Sequence, residues 1–310
     1  MHLKCLQHGL VVRRSTVRLL LKELDPEGVS LRSRRRLKRR QYFNKGPNYL
    51  WHIDGYDKLK PYGIAINGCI DGYSRHIIWL KACYTNNNPR IISAFFVSSI
   101  ETCGGCPRSI PTDMGTENSH IAHMQTFLRS RFFINQNSLP AFIYGTSQHN
   151  QRIESFWSIL RRENAQYWMN LFESLKDENY FNGTLVDKSL IQFCFLHLIQ
   201  MELDEVCLVW NSHRITTNRG SRTSGGKPII RYNLPELFGT KDYSVKISEE
   251  ELDLFKEQAM FLEERTCCDE NGYKLCKILM IENNYENPQT VDEALTLYKY
   301  IRSKTYELLE

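Results

Sequence analysis

The chain has 310 residues, enough for one large domain or two to three smaller ones, and its 42% hydrophobic residues allow a substantial core. No apolar run reaches the roughly 18 to 20 residues of a membrane helix, and the first residues lack the apolar segment of a secretion signal. We therefore predict a soluble intracellular protein that makes no membrane contact. The ten cysteines are too sparse and too irregularly spaced for a disulfide scaffold.

The net charge of +5 is distributed unevenly along the chain. Residues 1–50 hold 13 Lys and Arg against 3 Asp and Glu, whereas residues 241–310 hold 9 against 16. This asymmetry indicates a basic arm for polyanions and an acidic C-terminal region, for which self-association is one hypothesis. Seven of the nine residues 32–40 are basic, and such a density of charge repels itself unless an anion lies nearby.

The first predicted element is an amphipathic helix within residues 9–24, capped by Ser15 or Thr16 and ended by a turn at residues 25–28. The pattern fits the last helix of a helix-turn-helix module and a plain amphipathic helix equally well. The basic run that follows can pair with phosphates and also fits a nuclear-import signal, which predicts a nuclear protein. The predicted nucleic-acid-binding residues of this run are Arg34, Arg35, Arg36, Lys38, Arg39 and Arg40.

From residue 49 the sequence changes to short β-like runs, followed by alternating helices and strands. The order β-β-β-α-β-α-β-α predicts an α/β fold with a mixed five-stranded sheet flanked by helices. The predicted strands are residues 49–56, 63–70, 75–82, 107–112 and 141–144, and the predicted helices are 89–102, 117–131 and 149–171. Further predicted elements are helices at 185–211, 248–264 and 290–309 and a loop at 216–232.

Turn chemistry at residues 44–48 marks a boundary, and the chain is predicted to have three regions. The first, residues 1–44, is the basic arm with its partial helix-turn-helix-like helix. The second, residues 45–215, is the α/β core. The third, residues 216–310, is a linker followed by a helical acidic C-terminal region.

Three acidic residues at the ends of predicted elements form the candidate site. Asp54 and Asp113 stand at strand ends, and Glu154 lies near the start of a helix. The first and fourth strands of a mixed sheet can lie side by side, and the last helix can cross their ends. Three neighbouring carboxylates repel one another and need cations, and hard oxygen ligands favour Mg²⁺ or Mn²⁺. Two such ions can support phosphoryl transfer. Taken singly, each acid is more typical of a turn, a cap or a helix surface.

The residues around these acids resemble the signatures of a known family. The matching segments are Trp51-His-Ile-Asp-Gly55, Ile70-Asp-Gly-Tyr-Ser-Arg75, Thr112-Asp-Met-Gly-Thr-Glu-Asn118 and His149-Asn-Gln-Arg-Ile-Glu-Ser-Phe-Trp157. They resemble the integrase core of retroviral integrases and DDE transposases, and most of all the integrase-like proteins that derive from mobile elements in animal genomes. The resemblance implies a ribonuclease H-like fold and Mg²⁺-dependent DNA 3′-end processing and strand transfer. It also implies that Asp54, Asp113 and Glu154 are catalytic and bind the metal.

The same resemblance implies that Asn150, Gln151 and Arg152 bind DNA or brace the helix, and that the protein works as a homo-oligomer. The sequence departs from the family pattern in two ways. Forty residues separate Asp113 from Glu154, a longer interval than is usual in the family. The His-His-Cys-Cys zinc module of retroviral integrases is not visible.

Three functions remain open at this point. The first is a DNA integrase or transposase, a polynucleotidyl transferase that uses the three acids. The second is a domesticated, catalytically idle nucleic-acid-binding protein derived from an integrase, which the short segment ahead of the first helix favours. The third is a ribonuclease H-type nuclease acting on RNA–DNA hybrids.

Arg161 and Arg162 are interpreted either as phosphate contacts or as solvated helix charges.

Overall fold

The computed structural model describes residues 5, 9–34, 43–112, 115–130, 140–144, 150–216, 225–263 and 266–309, with only the backbone described at 31–34, 112 and 144. The chain divides into two compact units, residues 1–42 and residues 43–310. Within the described ranges, no helix combines the length and the apolar character that a membrane span requires.

The first unit contains helices α1 (Arg14–Leu24) and α2 (Pro26–Arg34). The predicted helix is confirmed, but the predicted caps are wrong, because Ser15 and Thr16 lie inside the first turn of α1. α1 ends at Leu24 as predicted, but a second helix, which was not predicted, begins directly after Asp25. There Asp25 Oδ1 accepts a hydrogen bond of 2.8 Å from the backbone N–H of Gly28, which satisfies one of the unpaired donors at the start of α2.

The described residues of the second unit contain five strands. Each strand lies inside a predicted run or extends one residue beyond it. They are β1 (Trp51–Tyr56), β2 (Ala65–Asp71), β3 (Ile77–Cys83), β4 (Ile110–Thr112) and β5 (Phe142–Tyr144). β1, β2 and β3 form an antiparallel sheet in sequential order, which confirms the predicted meander. β4 and β5 form a separate two-stranded parallel sheet.

One backbone bridge connects the two sheets. Leu50 pairs in parallel with Ser109, and the N–H of Trp51 donates to the Ser109 carbonyl at 3.2 Å. The start of β1 therefore lies beside the approach to β4, as expected for the first and fourth strands. The structure thus has a sheet of three strands and a sheet of two, linked by this bridge.

The helices of the second unit are numbered in chain order. They are α3 (Pro89–Cys103), α4 (Ser119–Ser130), α5 (Gln151–Leu160), α6 (Gln166–Asp177), α7 (Leu185–Ser212), α8 (Pro228–Asn233), α9 (Glu249–Gln258), α10 (Glu270–Glu282) and α11 (Val291–Leu309). A π-helical turn at Arg161–Ala165 joins α5 to α6, so the predicted long helix is continuous but not uniform. The prediction of a loop at 216–232 is wrong for residues 228–232, which belong to α8.

Helices cover both faces of the strands, and each face has its own apolar core. One core joins β2 and β3 to α5, α6 and α7, and it includes Phe156, Phe172 and Phe195. The other joins the opposite face to α3, α4 and α9, and it includes Phe96 and Phe255. This three-layer arrangement fixes α5 against one side of β1, where the candidate site lies.

The acidic C-terminal region packs into the first of these cores. Leu279 of α10 and Ile301 of α11 are buried there beside α7. Arg302 Nε donates to Asp187 Oδ1 at 2.8 Å, and the Asp187 side chain is fully buried. Tyr298 also donates its hydroxyl hydrogen to the Tyr180 carbonyl. These contacts make α10 and α11 part of the compact unit that carries the candidate site.

Candidate active site

Asp54 reaches the site because side chains alternate along β1. Trp51 and Ile53 point into the core beneath α3, so His52, Asp54 and Tyr56 point to the opposite face, toward α5. Asp54 is half-buried at this position. A half-buried carboxylate needs polar partners, and the neighbouring helix supplies one.

The partner of Asp54 comes from the helix that carries Glu154. Trp157 Nε1 donates a hydrogen bond of 2.8 Å to Asp54 Oδ2. Trp157 follows Glu154 by three residues, which places the two side chains on one face of α5. Trp157 is buried, whereas Glu154 is exposed in the first turn of the helix, where the helix dipole favours an acid. The indole therefore holds Asp54 next to the face that presents Glu154.

A glycine on β2 makes room for this indole. Gly68 pairs directly with Asp54 across the antiparallel ladder. A Cβ atom at Gly68 would lie 2.7 Å from Cη2 of Trp157, closer than carbon atoms approach without a shift. The absence of a side chain at residue 68 thus lets Trp157 lie over the sheet and reach Asp54.

Asn150 ties the start of α5 to the same strand. Its Nδ2 donates to the Ile53 carbonyl at 2.8 Å, and its Oδ1 lies 2.9 Å from His52 Nδ1. Asn150 occupies the N-cap position of α5 but makes no side-chain cap bond, because its amide is directed to β1. Burial lowers the pKa of His52 to about 4, with the Asn150 hydrogen bond opposing and the Arg152 charge adding to the shift. A neutral His52 therefore braces the helix at physiological pH.

Asp54 and Glu154 line one cleft of about 410 Å³. Tyr56, Lys58, Trp157 and Arg161 also contribute to its walls. Arg161 and Arg162 were interpreted either as phosphate contacts or as solvated helix charges. Arg161 lines this cleft, whereas Arg162 pairs with Glu163 at 2.7 Å on the exposed surface. A third carboxylate, Asp57, also lines the cleft and pairs with Lys60 at 3.0 Å. The cleft thus presents carboxylates beside the cations Lys58 and Arg161, a combination suited to a metal ion and a phosphodiester.

Tyr56 is a buried polar group in the wall of this cleft. It is 6% exposed, and its hydroxyl has no hydrogen-bond partner among the described residues. Its ring packs against Trp157 with centroids 5.4 Å apart. Burial raises the pKa of Tyr56, and the nearby Arg161 charge opposes that shift. The phenol of Tyr56 therefore stays protonated at neutral pH.

The third predicted acid, Asp113, lies outside the described residues. β4 leads to it, ending at Thr112. Among the residues that the structure describes, no three His, Cys, Asp or Glu side chains form a group that could hold a metal ion. This finding concerns Asp54, Glu154 and their described neighbours, and it does not include Asp113. The donor chemistry of Asp54 and Glu154, two carboxylates facing one cleft, fits a hard divalent cation.

The other predicted nucleic-acid-binding residues fall into two groups. Arg35, Arg36, Lys38, Arg39 and Arg40 lie outside the described residues, and only the backbone of Arg34 is described, within α2. In the second group, Gln151 is exposed on the first turn of α5. Arg152 is half-buried and its Nε donates to the Gly72 carbonyl at 3.3 Å. Asn150 and Arg152 therefore make bracing contacts, whereas Gln151 faces solvent.

Two residues with a role in the site were not singled out from the sequence. Trp157 has no signal in the sequence beyond its motif, because an aromatic residue at helical spacing is more often a core residue. Gly68 had no local signal, since only its pairing with Asp54 and its contact with Trp157 show why it lacks a side chain. For Trp157, its spacing of three residues from Glu154 was the available clue.

Comparisons with known proteins agree with this geometry. No curated protein matches the chain. The family model described as integrase core domain (rva_4) matches residues 41–224, more than half of the chain. The matched range contains β1 with Asp54, β2 with Gly68, and α5 with Glu154 and Trp157. The chain therefore belongs to the integrase core domain family.

Proposed function

We propose that this protein is a DNA polynucleotidyl transferase that performs 3′-end processing and strand transfer, as integrases and DDE transposases do. The observation that carries the proposal is the common cleft of Asp54 and Glu154, held together by the Trp157 hydrogen bond. Family membership supports the same reaction class. The acids come from a strand and a helix that are distant in sequence, so their convergence is a property of the fold.

Asp113 completes the proposed catalytic trio. Leu50 and Ser109 are paired in parallel, and Asp54 and Asp113 each follow their member of this pair by four residues. Strands that keep this register bring equivalent positions side by side. Continued pairing would also join the two sheets into one five-stranded mixed sheet of the ribonuclease H-like type, which the integrase core family implies.

The three carboxylates are proposed to hold Mg²⁺ or Mn²⁺. The bound ion would supply positive charge next to the scissile phosphate and favour an attacking oxygen. Residues of the chain orient the carboxylates, brace the helix and contact the phosphate oxygens. Trp157 orients Asp54, Asn150 and His52 fix the start of α5, and Arg161 and Lys58 face the cleft as partners for phosphate oxygens.

Each half of the reaction is a displacement at phosphorus. In end processing, a water oxygen bonds to phosphorus, the bond to the 3′ oxygen breaks, and a free 3′-hydroxyl is left. In strand transfer, that 3′-hydroxyl attacks a second DNA, and the 3′ oxygen there leaves. Neither step needs an oxidant or a reductant, so a site made of carboxylates and cations is chemically sufficient.

Nuclear localisation and action as a homo-oligomer are part of the proposal.

A second candidate is a catalytically idle nucleic-acid-binding protein derived from an integrase. The observation that favours it is the set of bracing roles of Asn150 and Arg152, which stabilise the fold whether or not chemistry occurs. This candidate predicts DNA affinity that survives the loss of all three acids. A third candidate, a nuclease for RNA–DNA hybrids, shares the same cleft and differs only in substrate.

The test is a nicking and strand-transfer assay on labelled duplex DNA with Mg²⁺, with Mn²⁺ and with a chelator. The wild-type chain is compared with Asp54→Asn, Asp113→Asn and Glu154→Gln, and with Asp253→Asn as a control on exposed α9. We expect metal-dependent products from wild type and the control, and none from the other three. Equal products from wild type and Asp113→Asn would exclude the trio. Cleavage confined to RNA–DNA hybrids would favour the nuclease instead.

A further inference from the structure

A second cationic surface lies at the opposite end of the strands from the cleft. Its five residues are Lys45, Tyr49, Arg108, Lys241 and Tyr243, which we call the tyrosine–cation surface. Tyr49 precedes β1 and Arg108 precedes β4, and the bridge between Leu50 and Ser109 brings these two approaches together. Asp54 lies toward the other end of β1, so the surface and the cleft are separated by the length of the strand.

Backbone contacts build this surface from three segments of the chain. The N–H of Tyr243 donates to the Pro47 carbonyl at 3.0 Å. Cys106 and Val245 exchange two backbone hydrogen bonds of 2.9 and 2.8 Å. A Cβ atom at Gly46 would lie 2.6 Å from the Lys241 carbonyl, which shows how closely the first and third segments approach. The surface is therefore fixed by main-chain pairing and does not depend on flexible side chains alone.

The side chains of this surface alternate cations with aromatic rings. Tyr49 and Tyr243 meet edge to face with centroids 5.3 Å apart. Lys45 Nζ lies 5.2 Å from the centroid of Tyr49. Lys241 Nζ and Arg108 Cζ lie 5.6 and 6.0 Å from the centroid of Tyr243. Because the two rings touch, the three cations belong to one surface.

Charge compensation at this surface is incomplete. Among the described residues, neither Lys45 nor Lys241 forms an ion pair with a carboxylate. The adjacent acid, Asp242, accepts hydrogen bonds from Asn48 Nδ2 at 2.8 Å and from the N–H and hydroxyl of Ser244. Its carboxylate is thus directed to the loop that it stabilises. Arg108 also lies near a second arginine, Arg129, and the two positive charges repel each other. Burial and the Arg108 charge together lower the pKa of Arg129.

We propose that the tyrosine–cation surface binds the phosphodiester backbone of duplex DNA at a distance from the reacting bond. Cations spaced between aromatic rings suit a chain of phosphates and sugars better than a single small anion. The inference rests on the proposed function in taking DNA as the ligand.

A purely structural role is the main alternative, because cation–aromatic contacts also stabilise loops. The two roles differ in their response to salt. A structural surface does not change the salt dependence of DNA binding, whereas each lysine that contacts a phosphate contributes about one unit to the slope of log K against log salt.

The test measures binding of the full chain to a fluorescent duplex by anisotropy over a range of salt concentrations. The double variant Lys45→Glu, Lys241→Glu is compared with a control double variant, Lys176→Glu, Lys304→Glu. The control lysines are exposed on α6 and α11, and both double variants change the net charge by the same amount. We expect the first variant to bind about tenfold more weakly or worse than the second, with a slope lower by about two units. Equal affinity and slope for the two variants would overturn the inference.

A second measurement does not depend on the variants. Wild-type protein is treated with a lysine-acetylating reagent with and without the duplex, and modified residues are identified by mass spectrometry. Protection of Lys45 and Lys241 but not Lys304 supports the inference, and equal modification of all three contradicts it. If wild type binds no duplex at any salt concentration, the proposed DNA function fails together with the inference. If it binds but the surface variant matches its control, the inference alone fails.

Discussion

The indole nitrogen of Trp157 and the carboxylate of Asp54 are joined by a 2.8 Å hydrogen bond that links the two elements of the candidate site. Asp54 comes from a strand that begins at residue 51, and Trp157 from a helix that begins at residue 151. The bond fixes one carboxylate oxygen of Asp54. It also aligns the helix face from which Glu154 enters the cleft, so it controls the geometry of both acids at once.

We predict that Trp157→Phe keeps the aromatic packing but releases Asp54. Activity or divalent-metal affinity should fall by about 10- to 100-fold, the usual effect of losing a group that orients a metal ligand. Stability should fall by about 1.5 to 3 kcal/mol, because one hydrogen bond to a charged group is lost. The measurements are strand transfer and Mg²⁺ titration by calorimetry, with urea unfolding as the check on stability.

The control for this prediction is Trp168→Phe. Trp168 also donates its indole hydrogen to a carboxylate, Glu202, but away from the cleft. It should lose similar stability with no loss of metal affinity. An equal decrease in metal affinity in both variants would mean that Trp157 acts only through the fold.

We predict that Gly68→Ala displaces Trp157 from its position over β2. The added methyl carbon would lie 2.7 Å from Cη2 of Trp157 and 3.2 Å from Cδ1 of Leu80, so the indole has to move. Overpacking of this kind costs about 1 to 3 kcal/mol. Urea unfolding measures the cost, and a shift in tryptophan fluorescence reports the displaced ring.

Gly272→Ala is the matched control. Gly272 lies in α10, and a Cβ atom there would be 3.4 Å from its nearest neighbour, which is ordinary contact. This variant should be neutral or stabilised by up to about 1 kcal/mol, because alanine is the better helix residue. If Gly68→Ala is as stable as Gly272→Ala, the close approach of Trp157 to β2 is contradicted.

We predict that the titration of His52 lowers the free energy of unfolding as the pH falls from about 6.5 to about 4. Its folded pKa is lowered to about 4 by burial, whereas the unfolded chain retains the ordinary value of 6.5. Between these values the unfolded state binds more protons than the folded state, so acid favours unfolding. The full effect below pH 4 is about 3 kcal/mol.

The buried carboxyl of Asp71 acts in the opposite direction. Its pKa is raised to about 6, mainly by burial, so the folded state binds a proton before the unfolded state does. For this reason the wild-type pH profile does not isolate His52. The measurement is the difference in unfolding free energy between wild type and His52→Gln, in urea, from pH 7 to pH 4. A constant difference over this range would contradict the prediction.

We predict that Arg302→Met strongly destabilises the second unit. The guanidinium of Arg302 donates to the fully buried carboxylate of Asp187, which also accepts from the Asn182 N–H at 2.6 Å. Removing one partner of a buried pair leaves an uncompensated charge, which costs about 3 to 5 kcal/mol. The measurement is urea unfolding of the full chain.

Lys304→Met, two residues further along α11, is the control. Lys304 pairs with Glu307 at 2.7 Å on the exposed surface, and such pairs contribute at most about 1 kcal/mol. Equal loss of stability in the two variants would show that the buried pair does not attach α11 to α7. A loss at Arg302 alone supports a structural role for the acidic C-terminal region.

The sequence determined the order and type of most elements, because these depend on local periodicity and turn chemistry. The β1–β3 meander and the helix that carries Glu154 follow from alternation over a few residues and from helical spacing. Local patterns failed where a single residue had two roles. Asp25 ends α1 as predicted, but its carboxylate also accepts a hydrogen bond from the start of α2, a helix that was not predicted.

The sequence also identified Asp54 and Glu154 through the motifs that surround them, but only the tertiary structure showed how they meet. Their common cleft depends on the pairing of Asp54 with Gly68 and on Trp157 lying over that glycine. The tyrosine–cation surface likewise joins residues 45–49 to residues 241–243. Contacts between residues this far apart depend on packing and register, which no local pattern encodes.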